Sequence, residues 1–268
     1  MKNRFVYFAL AALACVPAAI AQDKPQFVQQ LCVKAAPGQS AGLSAMVPDI
    51  AKFVQVQADS GRLLFLAVLR ATIPAGTSAR CDIIFASGYQ GYPPAPFTRA
   101  EAEANFQKSG ISGTYDDYLA RQRQLFTLVS NDLVIVPPNG IVGSGAKVGS
   151  YVRFNLDKLK TGHTAEEWAK LEREGWGAYA EAVAKDRPGF GWRQEALVSP
   201  AGSAMDYNVL SVDILPDWDS TGGGWGGAAV WNKVHPNMAS DVFMTKVGAV
   251  IDRYKVELYR ATAIVLKK

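Results

Sequence analysis

The chain has 268 residues, with 28 Lys and Arg against 24 Asp and Glu, a formal net charge of +4. No Lys/Arg block occurs, which argues against a nucleic-acid surface. No apolar run after the N-terminus reaches the roughly 18 residues of a membrane helix. Apolar residues make up 49%, with six Trp and ten Tyr, enough to bury a globular core.

Residues 1–21 stand apart. Lys2 and Arg4 make a basic start, Phe5–Cys15 an apolar run, and Ala19-Ile20-Ala21 an A-x-A site before Gln22. That is a secretory signal pattern, so the mature chain is expected to begin at Gln22 and to be periplasmic or secreted. A lipoprotein box at Cys15 would need its large apolar residue at the head of Ala12-Leu13-Ala14, where the chain has Ala12. Removal of Lys2 and Arg4 leaves a net charge of about +2. Cys32 and Cys81 remain. In an oxidising compartment they read as a disulfide, with two separately buried thiols as the other reading.

In chain order, Phe27–Val33 alternates as a strand, and Ser40–Val56 reads as a helix interrupted at Pro48. Leu63–Ile73 and Cys81–Ala86 are the next strands, followed by the loop SGYQGYPPAP. A short helix spans about residues 99–107 and a firmer one about 115–129, before a strand at Leu133–Val136. Residues 139–150, rich in Gly, form a linker. Tyr151–Leu156 is then a strand, and Thr164 with Glu167 a capping box for a helix striped by Trp168, Leu171, Gly175, Tyr179 and Val183. Strands at Gly191–Val198 and Asn208–Leu215 lead to a second loop, PDWDSTGGGWGG. A helix over about 242–254 and a strand at Leu258–Leu266 close the chain.

The same succession, strand–helix–strand–strand–helix–strand, is thus written twice, in residues 22–138 and 151–268. It is the split βαβ, or ferredoxin-like, order. The bare face of each sheet must be covered, and two copies can cover each other. The expected fold is α+β: two tandem ferredoxin-like βαββαβ halves packed as a pseudo-dimeric α+β barrel. In this order of elements the chain resembles the dimeric α+β barrel superfamily, which includes antibiotic-biosynthesis-type monooxygenases and chlorite dismutase-like haem proteins. The resemblance rests on no sequence motif, so it assigns no functional residue.

Gly38-Gln39-Ser40-Ala41-Gly42 spells G-x-S-x-G, but only one mature strand precedes it, and Ser40 reads better as a helix start. Gly222–Gly227 contains G-x-G-x-x-G, yet Pro216–Thr221 separates it from its strand, so it reads as a loop. Neither His163 nor His235 has a second His or Cys at ligand spacing, so no metal site is expected. No cofactor is required; haem on an axial His235 is what the resemblance would allow.

The two loops after the third strands concentrate Gly and aromatics at equivalent places. Tyr89, Tyr92, Trp218 and Trp225, with His235 as the nearby titratable group, are the candidate ligand-binding residues. The same aromatics could instead seal the sheet ends. The leading expectation is an exported protein that binds a small apolar or aromatic molecule between sheet and helices. The alternatives are a cofactor-independent monooxygenase-like enzyme and an envelope protein-interaction module.

Overall fold

The structure is a computed structural model that describes residues 25–75, 78–200, 205–222 and 226–268. The expected signal peptide and Trp225 lie outside the described residues.

The first half runs β1 (Gln26–Ala35), α1 (Ser40–Asp59), β2 (Phe65–Ile73), β3 (Ile83–Gln90), α2 (Arg99–Lys108), α3 (Tyr115–Leu125) and β4 (Phe126–Val136). A short β5 (Ile141–Gly143) leads to the second half. That half runs β6 (Tyr151–Leu159), α4 (Ala165–Glu172), a π-helical turn (Arg173–Gly177), α5 (Ala178–Asp186), β7 (Gly191–Ser199), β8 (Val209–Leu215), α6 (Gly227–Val234), α7 (Ser240–Val250) and β9 (Ile251–Leu266).

The strands follow the order β4-β1-β3-β2-β9-β6-β8-β7, and β4 also pairs with β7. The two half-sheets therefore join edge to edge, β2 on β9 and β4 on β7, into a closed antiparallel barrel. Closure removes the free sheet edges that each half would otherwise expose. Beside it, β5 pairs with the start of β7. The mixed α+β barrel expected from the element order is the fold.

Alternation sets three cores. Inward rows such as Val28 and Cys32, Ile84 and Ala86, Val152, Phe154 and Leu156, and Leu210 and Val212 fill the barrel. Outward apolar rows of the first half pack under its helices through Leu43, Met46, Ile50, Phe85, Phe106 and Tyr118. The second half packs Trp168, Tyr179, Trp192, Trp231, Phe243 and Val247 in the same layer.

Several boundaries differ from the sequence reading. Helix α1 runs through Pro48 without ending. The third strand starts at Ile83 and extends through Tyr89 and Gln90, which therefore lie on β3 rather than in the loop. Both long helices end early: Phe126 and Ile251 already belong to strands. Thr164 caps α4 through the Glu167 amide, but the Glu167 carboxylate turns to His163 Nδ1 at 2.9 Å instead of closing a capping box. The linker contains β5.

Candidate functional site

Each half-sheet is covered on both faces, by the barrel interior and by helices. On β6, the inward residues Val152, Phe154 and Leu156 are apolar, while the alternating outward row is Arg153, Asn155 and Asp157. On β8, Ser211 and Asp213 alternate in the same way with Leu210 and Val212. The register sets Asn155 opposite Ser211 and Arg153 opposite Asp213, so the polar residues form one patch beneath the helices.

Above this patch lies a cavity of about 460 Å³. Its walls are Trp176, Tyr179, Trp192, Met244 and Val247, and its floor is Arg153, Asn155, Ser211, Asp213 and Arg253. The π-helical turn delivers Trp176. Gly175 beside it has no alternative residue, because a Cβ there would lie 2.1 Å from Phe243 Cζ.

The floor is an incomplete polar network. Asn155 Nδ2 donates to Asp213 Oδ2 at 3.1 Å, and Arg153 NH1 lies 3.7 Å from the same oxygen. Arg153 NH2 donates to the Thr221 carbonyl at 2.6 Å, and Arg253 pairs with Asp157. Asp213 Oδ1 and both carboxyl oxygens of Glu172 are buried with no hydrogen-bond partner among the described residues. Burial pushes the Asp213 carboxyl up to about 7, against the pull of Arg153. It pushes Asp157 to about 7 despite Arg253, and Glu172 to about 8, where the charge of Asp157 adds to the rise. A buried carboxyl that titrates near neutrality beside an aromatic cavity can accept or hold a proton.

The residues singled out in the sequence sit elsewhere. In the eight-stranded antiparallel ring β3 and β8 run the same way, so the two Gly/aromatic loops leave one end of the barrel. A smaller apolar cavity of about 140 Å³ opens there, lined by Phe65, Ala146, Ile214, Ile264 and Leu266 among others. Tyr89 packs into the first-half helix layer, its hydroxyl 3.4 Å from Gln29 Oε1, and burial raises its pKa. Tyr92 is exposed and meets the Phe27 ring edge-on at 5.4 Å. Trp218 is half-exposed against Tyr151, also at 5.4 Å. His235 ends α6, packs against Trp231 with ring centres 4.4 Å apart and planes tilted by 45°, and donates from Nε2 to the Gly175 carbonyl at 3.0 Å. Neither cavity is lined by any of these four residues. The candidate site moves from the loops to the sheet–helix layer of the second half.

Cys32 and Cys81 form a disulfide, with Cα atoms 5.2 Å apart. Among the described residues, no group of three or more His, Cys, Asp or Glu is placed to hold a metal ion, and no helix is long and apolar enough to cross a membrane. Haem through His235 does not fit these residues. Its Nε2 is engaged by Gly175, and neither histidine reaches the cavity wall.

The polar floor was readable in principle. In a strand covered on both faces, a charged residue at every second position cannot be solvated, so YVRFNLD and LSVDIL marked a buried polar patch. The walls gave no such signal, since Trp176, Trp192 and Val247 look like ordinary core.

No protein-family model and no curated protein sequence matches the chain. Solved structures do. A presumptive monooxygenase of Fusobacterium nucleatum subsp. nucleatum aligns with TM-score 0.51 and 12% identity, covering 91% of this chain and 95% of that one. A presumptive monooxygenase of Lactobacillus acidophilus aligns with TM-score 0.50 and 7% identity, covering 91% and 97%. A haem-binding protein of Thermus thermophilus aligns with TM-score 0.46 and 12% identity, covering 89% and 91%. At such identities the likeness is one of fold alone: this chain shares the antiparallel α+β barrel fold of the two presumptive monooxygenases, with both halves in one polypeptide.

Proposed function

We propose that this chain is an exported protein that binds a small molecule with an aromatic or apolar body in the second-half cavity. The observation that carries the reading is the contrast between the halves. In the first half the clefts against α1 hold about 190 and 220 Å³, and a polar groove of about 490 Å³ beside α2 is lined by Ser60, Arg62, Glu101 and Lys108 with one aromatic ring, Phe97. In the second half about 460 Å³ of space lies over a polar floor between three aromatic side chains, Trp176, Tyr179 and Trp192. That volume, with aromatic walls and a few polar groups, suits a small ligand. Export is supported by the N-terminal pattern and agrees with the Cys32–Cys81 disulfide.

Protein purified from the periplasm, denatured and examined by mass spectrometry, is expected to release a co-purifying aromatic compound. Protein carrying an intact Met1 in the cytoplasm would overturn the export reading.

A monooxygenase-like activity is the second reading. Asp213 favours it, as a proton acceptor near neutral pH in the floor of an aromatic cavity. Substrate-dependent oxygen uptake that is lost in Asp213→Asn would support it, and binding without turnover would leave the protein a carrier.

A further inference from the structure

We propose that the second-half cavity recognises a hydroxyaryl ligand, a phenol or naphthol, whose hydroxyl donates to Asp213 Oδ1. The inference rests on the reading of that cavity as a ligand site and adds the chemistry of the ligand.

Two observations carry it. Asp213 is 1% exposed, belongs to the cavity floor, and has one oxygen served by Asn155 and one with no partner. A buried acceptor left unpaired is costly, so the site is complete only when a donor arrives. The fixed charges then select the kind of donor. Arg153 and Arg253 line the same cavity, and a guanidinium stays protonated. An ammonium placed among them would face two guanidinium charges that Asp157 and Asp213 offset only in part, since burial holds both carboxyls towards the neutral form, whereas a neutral hydroxyl is not repelled. Trp176, Tyr179 and Trp192 supply flat apolar surface for the ring that carries the hydroxyl. The raised carboxyl of Asp213 agrees with this arrangement, because a group near its midpoint shares a phenolic proton readily.

The test uses three probes of one shape: 2-naphthol, 2-methoxynaphthalene and 2-naphthylmethylamine. Each is titrated into the purified exported protein and followed by calorimetry and tryptophan fluorescence. In the wild type, 2-naphthol should bind about tenfold or more tighter than the methoxy compound, because only the naphthol can donate to the otherwise unpaired oxygen. In Asp213→Asn that advantage should shrink to about threefold or less, with the methoxy compound unchanged. Equal binding of naphthol and methoxynaphthalene to wild type would overturn the hydroxyl inference and leave the cavity reading intact. Tighter binding of the ammonium would overturn the choice of a neutral donor. Failure of all three to bind would overturn both. The comparison within the wild type does not depend on the variant folding.

Discussion

Arg80 and Glu257, 177 residues apart in the chain, meet inside the barrel with Nε 3.3 Å from Oε2. Arg80 also reaches Asp132 Oδ2 on β4 at 3.2 Å, so one side chain ties a strand of the first half to a strand of the second. The Tyr207 and Tyr259 hydroxyls donate to the same two carboxylates at 2.6 and 2.9 Å. Burial works against the guanidinium charge, yet Tyr207, Glu257, Tyr259 and Asp132 raise its pKa above the ordinary value.

Arg80→Met should therefore leave buried Asp132 without its cation and Glu257 with Lys255 alone. The expected loss is about 3–5 kcal/mol in urea unfolding, since breaking a buried pair from one side leaves an uncompensated charge. A loss below about 1 kcal/mol would mean that the tyrosine hydroxyls, Ser130 and Lys255 hold the carboxylates without Arg80.

The disulfide lies next to this network, because Cys81 follows Arg80. It closes a sequence separation of 49 residues, for which chain entropy gives about 4 kcal/mol. Cys32→Ala with Cys81→Ala should lower stability by about 2–4 kcal/mol. Combined with Arg80→Met, the losses should depart from additivity by more than about 0.5 kcal/mol, because neighbours share the same backbone. Strict additivity would show that the bridge does not position Arg80.

The order of elements was legible because strand alternation and helical stripes are local properties. The two helix ends were not. Phe126 and Val129 continue the apolar period of α3, and Ile251 and Tyr254 that of α7, so periodicity alone carries both helices too far. Pairing decides them: Phe126 sits opposite Ala35 and Ile251 opposite Leu159, and each long central strand, β1 and β6, needs a partner along its length. The error recurs at the same place in both halves because the cause is the same tertiary contact. The second-half cavity was not legible for a related reason. Loop aromatics draw attention as exposed chemistry, while Arg153 and Asp213 acquire meaning only once both sheet faces are known to be covered.

Glu172, Asp157 and Asp213 make a pH prediction whose sign runs opposite to ordinary acid denaturation. All three are raised in the folded state, to about 8, 7 and 7. Between about pH 4.5 and pH 8 the folded chain then holds protons that the unfolded chain has released, so stability falls as pH rises through this window. Urea unfolding should give a higher free energy at pH 5 than at pH 8, by on the order of a few kcal/mol. Glu172→Gln, which keeps the shape and removes the charge, should raise stability at pH 8 by about 1–3 kcal/mol and flatten the slope. A profile that is flat from pH 5 to pH 8 in the wild type would mean that these carboxyls are ionised in the folded protein.

Gly248 offers a test of the cavity that does not touch its polar floor. It lies on α7 at the cavity, and a Cβ built there meets nothing within 4 Å. Gly248→Leu adds side-chain volume where the ligand is expected, and leucine is a better helix former than glycine, by about 0.8 kcal/mol in a helix interior and less in the last turn of α7. Stability should therefore hold or rise, while the affinity for 2-naphthol should fall by about tenfold or more, equivalent to about 1.4 kcal/mol. The two changes have opposite signs, so general unfolding cannot mimic the result. Undiminished binding in a stable Gly248→Leu protein would place the ligand elsewhere, and the apolar mouth of the barrel at Phe65 and Leu266 would be the next place to probe.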